Sequence, residues 1–397
     1  MEPNIGVACG FRLGRVRLLV FCEEVDMESY KYVSADSHLV EPEDLYVTRM
    51  DKRFRSRAPR AEVRNGETFM VVEGSLEVSL DADVLLATDE KHRPVLDQSA
   101  GGRHEKTRPG GLDPHLRLLD QDVDNIAAEV VYPNWGLYFF ATPDPEYQRE
   151  AMRVYNEYIA EYCRAEGKRL TPVGLLPLKG PIEWAVEAAE RCAALGMPEV
   201  MVAVAPKRPY HDPHYKPLWD ALQNLGLMVA MHAGCYDEPF VDFSYQSVMP
   251  QSLIVEGKII LLERGMVNLI SGAIPQDYPR LRFVLVEGGI GWIAPVLRLM
   301  DHFWEDHHQW MQPRLAEPPS FYFKRQFWAT FEDDRPGLLT RNLLNPEHLM
   351  WGSDYPHSEG TFPYSRQKIA ADFADLPAAE TRKLVRENAV NLYHFSV

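Results

Sequence analysis

Eight apolar runs, separated by stretches with helical spacing, constrain this chain more than any other feature. They fall at residues 32–38, 127–133, 170–177, 199–204, 227–234, 281–289, 326–332 and 348–354. Most are nearly continuous in Val, Leu, Ala and Met instead of alternating with polar residues. That is the pattern of strands buried on both faces of a parallel sheet. Amphipathic or Ala-rich stretches at 147–166, 182–195 and 215–225 lie between them. Strand–helix alternation selects the α/β class, and eight units favour a closed (β/α)8 TIM barrel over an open doubly wound sheet. With 397 residues, 46% of them hydrophobic, the chain can build such a core.

Residues 47–112 do not follow the alternation. The part from 50 to 64 is basic and contains proline, and Asn65-Gly66 then sits between runs that suit a hairpin, with 68–72 as the return strand. Residues 88–112 are polar and rich in glycine (Gly101-Gly102, Gly110-Gly111). So long a segment after the first strand predicts an inserted lid or small subdomain over the barrel mouth. Residues 116–123 return to helical spacing. Residues 1–27 are expected to be an N-terminal extension to a barrel domain spanning 28–397. Within 12–22 the apolar core is only about five residues, and Glu23-Glu24 stands where a signal peptide would carry small residues.

A formal net charge of −16 without any Lys/Arg-rich run argues against nucleic acid as a partner. No apolar run has the length of a membrane span. Five cysteines, odd in number and without CxxC spacing, suit free thiols in a reducing cytoplasm. The aromatic stretches 292–310 and 321–323 can supply an interface, so a homo-oligomer, dimer or higher, is expected; core burial explains both stretches equally well.

Titratable residues collect where the apolar runs stop. Strand alternation points Asp36 and His38 to one side of the first strand, about 6–7 Å apart. His232 ends the fifth run, Glu287 the sixth and Asp354 the eighth, within Met350-Trp351-Gly352-Ser353-Asp354-Tyr355-Pro356-His357. Barrels place their catalytic groups at these C-terminal strand ends. Singly, each has an ordinary explanation: a turn aspartate, a core histidine, a glutamate capping Gly288-Gly289. Together, two imidazoles and several carboxylates suit one divalent ion, Zn²⁺ first and Mn²⁺ or Fe²⁺ as alternatives, with a position left open for water. His357, on the loop after Asp354, and Trp135, beyond the second strand, are candidate contacts for a small-molecule substrate; a turn histidine and a core tryptophan are equally good readings.

Asp36-x-His38, Met231-His232, Val286-Glu287-Gly288-Gly289-Ile290-Gly291-Trp292 and Trp351-Gly352-Ser353-Asp354-Tyr355-Pro356-His357 resemble the motifs of the amidohydrolase-related, metal-dependent TIM-barrel family. The likeness is to amidohydrolase family 2, the branch that includes the aminocarboxymuconate semialdehyde decarboxylases. It runs from about Tyr32 to the C-terminus, through Asn388-Ala389-Val390-Asn391-Leu392-Tyr393. It implies a single metal ion bound by Asp36, His38, His232 and Asp354. Two positions depart from the family pattern. Glu287 stands where the decarboxylases carry a catalytic histidine, and Asp36 stands where some members carry His or Glu.

Decarboxylation needs a proton donor, so Glu287 would have to stay protonated. Hydrolysis needs a base, which an ionised carboxylate beside a cation supplies directly. The expected function is therefore a metal-dependent hydrolase of a small cyclic amide, lactone or aromatic-type substrate, acting through a metal-activated water. Asp354, Glu287 and His232 are its expected catalytic residues. The first alternative is a non-oxidative decarboxylase of an aromatic or unsaturated carboxylic acid; the second is an inactive barrel serving as a binding module.

Overall fold

A computed structural model describes residues 30–64, 67–72, 75–79, 108–165, 167–237, 255–357 and 360–397. The expected 1–27 extension and residues 65–66, 73–74 and 80–107 of the expected lid lie outside them. Eight parallel strands form the barrel: β1 (Tyr32–His38), β5 (Ile126–Tyr132), β6 (Leu170–Leu175), β7 (Glu199–Met201), β8 (Met228–His232), β9 (Phe283–Val286), β10 (Phe327–Phe331) and β11 (Leu349–Trp351), each paired with the next. The expected (β/α)8 barrel is what the chain adopts. Every residue of β1, β5, β7, β8, β9 and β11 is buried, which accounts for the unbroken apolar runs.

The ring closes between the last strand and the first, just past the end of β11. Asp354 N–H donates to the Asp36 carbonyl at 3.0 Å, and His38 N–H donates to the Tyr355 carbonyl at 2.6 Å. Gly352 makes this approach possible, because a Cβ there would lie 2.5 Å from the Asp36 Cβ and 3.1 Å from its nitrogen. The ladders are shorter than the apolar runs. Val202, Ala203 and Val204 lie beyond β7 yet stay fully buried, because the chain is still passing between sheet and helix.

Within 47–112, β2 (Arg60–Arg64), β3 (Glu67–Val72) and β4 (Leu76–Ser79) form an antiparallel sheet. Arg64 pairs with Glu67, and the expected Asn65-Gly66 turn between them lies outside the described residues. This sheet meets the 3₁₀ segment Trp135–Ala141 that follows β5, where the Ser75 hydroxyl donates to the Tyr138 carbonyl. Of the two stretches expected at an oligomer interface, Ile293, Ala294, Leu297, Tyr322 and Phe323 are buried, whereas Leu299, Phe303, Trp310 and Phe321 are exposed.

One buried ion pair joins the helix Pro114–Val123 to the first two barrel strands. Arg117, fully buried, pairs with Glu129 on β5, and donates to the His38 carbonyl at 2.7 Å and the Ser37 hydroxyl at 2.9 Å. Replacing Arg117 by Met leaves Glu129 charged and unpaired in the core. That should cost about 3–5 kcal/mol of stability, read as a lower denaturation midpoint. A loss under 1 kcal/mol would mean that the pair is incidental.

Candidate metal centre and its cavity

The pleat of β1 turns Asp36 and His38 to the same side, as the sequence predicts. β8 ends on His232, and the turn after β11 presents Asp354; both His38 and His232 are fully buried. His38 Nε2 lies 3.7 Å from Asp36 Oδ1 and 3.3 Å from Asp354 Oδ1, and His232 Nε2 lies 3.6 Å from Asp36 Oδ1. The two imidazole rings meet edge-on, with centroids 4.9 Å apart. Four atoms at this point, Asp36 Oδ1, His38 Nε2, His232 Nε2 and Asp354 Oδ2, are buried without a hydrogen-bond partner. Buried polar atoms are nearly always satisfied, so these four orphans, grouped around His38, call for a partner. Asp36, His38 and His232 bring ligand atoms within 4.8 Å of one another, and so do His38, Asp354 and His357, the two groups sharing His38. The nitrogen and carboxylate donors present fit a divalent cation.

The other nitrogen of each imidazole is already engaged. His38 Nδ1 is 2.7 Å from the Pro133 carbonyl, and His232 Nδ1 is 2.6 Å from the Ala233 carbonyl. Bonds of this kind fix the tautomer and leave Nε2 as the free donor, the usual support for a metal-ligating histidine. Thr330, on β10, adds a longer contact to Asp36 Oδ2 at 3.4 Å and accepts the Glu287 N–H at 2.9 Å.

Glu287 stands one step behind this set. Its Oε2 lies 3.2 Å from His232 Nδ1 and its Oε1 lies 2.8 Å from Lys258 Nζ. Burial, the largest influence, would raise its carboxyl pKa, but the Lys258 ammonium acting together with His232 and His38 holds it below the ordinary carboxylate range. Asp354 behaves alike: burial opposes ionisation, and His357, with Nδ1 2.8 Å from Asp354 Oδ1, overcomes it. Asp36 is the opposite case, raised by burial despite the nearby His232. Burial also lowers His38, whereas Glu287 and Asp36 overcome burial at His232 and raise it.

Two of these residues occupy left-handed backbone: Glu287 at φ 65° and Asp354 at φ 52°. Such positions cost on the order of 1–3 kcal/mol each for residues other than glycine and persist where function requires them. Beyond Glu287, Asp334 Oδ2 accepts the N–H groups of Ile290 and Gly291 at 2.6 and 2.7 Å, fixing the loop from β9 into the helix Ile293–His307.

Beside Asp36 opens a cavity of about 480 Å³, lined among the described residues by Val255, Lys258, Ile259, Glu287, Trp292, Phe331 and others. Its size suits a small organic molecule. Asp36, His38, His232, Asp354 and Glu287 thus come together. His357 joins them through Asp354, with Nε2 3.4 Å from Asn134 Oδ1. Trp135 does not reach the cavity. It is 2% exposed in the hydrophobic core, and the aromatic walls come from Trp292 and Phe331. Lys258 escaped the sequence reading because it lies on the short helical segment Val255–Ile260, outside any strand end. Gly288 marks its proximity, since a Cβ there would lie 2.8 Å from the Lys258 carbonyl.

A family model described as "Amidohydrolase" matches residues 136–395. No curated protein matches by sequence. Among solved structures, an amidohydrolase from Mycobacterium avium subsp. paratuberculosis K-10 superposes with a TM-score of 0.71 at 18% identity, over 92% of this chain and 99% of that one. The 5-carboxyvanillate decarboxylase of Sphingomonas paucimobilis gives 0.67 at 19% identity, over 93% and 100%. A dihydroxybenzoic acid decarboxylase from Polaromonas sp. JS666, with bound manganese and the inhibitor 2-nitroresorcinol, gives 0.60 at 16%, over 93% and 98%.

Proposed function

The chain belongs to the amidohydrolase family, and on that premise we propose that it is a metal-dependent, non-oxidative decarboxylase of a planar, aromatic or unsaturated carboxylic acid. The observation that carries this reading is the cavity of about 480 Å³, where Trp292 and Phe331 face the same space as Asp36 and Lys258. Solved decarboxylases of aromatic acids share the barrel over more than nine-tenths of this chain. Under the proposal, Asp36, His38, His232 and Asp354 hold one divalent ion. When bound, that ion supplies a positive charge that draws in and polarises the oxygens of the acid.

The chain's own groups then have separate tasks. Trp292 and Phe331 hold the plane of the substrate, and Lys258 pairs with its anionic end. As the bond to the carboxyl carbon breaks, CO2 leaves and the electron pair stays on the substrate carbon, which must receive a proton. Glu287, held ionised by Lys258, is no donor. It steadies His232 through Nδ1 and keeps the Lys258 ammonium in the cavity, leaving Lys258 as the acid. In the same proposal, the described part of 47–112 covers the mouth, and the exposed Leu299, Phe303 and Trp310 meet a second copy of the chain.

Replacing Lys258 by Met should therefore lower kcat/KM by at least about 100-fold, since a charged contact and a proton donor go together. Metal content should not change. Replacing it by Arg keeps the charge but donates its proton poorly, so KM should recover while kcat does not. Equal recovery of both would remove Lys258 as the acid.

A second reading, hydrolysis of a neutral cyclic amide or lactone, is favoured by the ionised state of Glu287, since a carboxylate can accept a proton from an attacking water. Product analysis in ¹⁸O-labelled water separates the two. Release of CO2 from a panel of hydroxylated benzoates and unsaturated acids, without solvent oxygen in the organic product, supports decarboxylation. Label in the product, with no CO2, supports hydrolysis.

A further inference from the structure

We propose that Glu41 is a positioning residue of the metal centre: its carboxylate fixes the turn after β5 that orients His38 and faces His357. Glu41 is fully buried, three residues beyond His38. Its Oε2 accepts the Trp135 N–H at 3.0 Å and its Oε1 accepts the Gly136 N–H at 2.9 Å. The turn held this way serves two histidines. The Pro133 carbonyl, 2.7 Å from His38 Nδ1, leaves His38 Nε2 directed at Asp36 and Asp354. Asn134 Oδ1 lies 3.4 Å from His357 Nε2. The turn has little room to shift, because a Cβ on Gly136 would lie 2.7 Å from the Pro133 side chain and 2.9 Å from that of Leu175. One carboxylate therefore ties the segment after β1 to the segment after its neighbour β5.

Glutamine cannot reproduce this clamp. It offers one oxygen to two N–H groups, and its own amide would face the second of them. Burial raises the Glu41 carboxyl to about 7, against the lowering by the backbone N–H groups of Trp135 and Gly136. A carboxyl raised on folding loses its contribution to stability as pH rises from its unfolded value through about 7. At pH 8 a neutral replacement therefore carries no such penalty.

The test uses Glu41→Gln in the full chain at pH 8, with Zn²⁺ and Mn²⁺ as probes. Metal affinity is read by competition with a chromophoric chelator, and Tm is read on the metal-free protein. Affinity should fall 10- to 100-fold, the range for losing support behind a metal ligand, while the metal-free Tm stays level or rises. Affinity within twofold of the parent protein would overturn the proposal. So would a loss of affinity matched by a fall in the metal-free Tm, which marks a merely structural role. If Glu41→Gln does not fold, Glu41→Asp, too short to reach both N–H groups, takes its place with the same readings.

Discussion

Replacing Glu287 by Gln should leave the metal bound at saturating ion and reduce turnover by roughly 10²–10⁴-fold, the range for disabling a general acid–base arrangement. The substitution keeps the side chain's shape and removes its charge. His232 still donates Nδ1–H to the Ala233 carbonyl, so the ligand stays in place. Lys258, 2.8 Å from Glu287, loses its counter-charge, and with it the force that holds its ammonium in the cavity. Metal analysis beside steady-state kinetics checks both halves. Turnover equal to that of the parent protein would make Glu287 no more than a turn residue at φ 65°.

The second large effect concerns the ligands themselves. Replacing His232 by Ala, or Asp354 by Asn, should reduce metal from one ion per chain to near zero and activity to background. Asn suits position 354 because it tolerates left-handed backbone better than most residues, so the fold is not under test there. Either substitution leaves an incomplete donor set, and Asp354→Asn also removes the charge that His38 and His357 face. Elemental analysis reads the result. Full metal retained by both variants would place the ion elsewhere.

Much of this arrangement was legible in the sequence because two-sided burial writes itself as unbroken apolar runs. Val229, Ala230 and Met231 lead without a polar break to His232, and the histidine at the strand end stands out against them. Asp36 and His38 were legible because a two-residue period puts both on one face. Strand lengths were not. Apolar residues such as Val202 to Val204 stay buried after the ladder ends, and burial, not pairing, sets the composition. Residues whose roles arise from tertiary contact were hidden as well. Lys258 is one cation on a short helical segment until β9 is brought against it. Glu41, before Pro42, reads as an ordinary loop glutamate until the β5 turn closes over it. Trp135 is the converse: an aromatic at a strand end that the fold uses for its core.

The claim on which the rest depends is a single divalent ion held by Asp36, His38, His232 and Asp354. Anomalous diffraction from crystals of the manganese-loaded protein, measured near the manganese absorption edge, tests it most directly. The account predicts one strong peak bonded to all four side chains at about 2.0–2.3 Å, the range for N and O donors to such ions. No peak among these four residues, or one bonded to a different set, would contradict it.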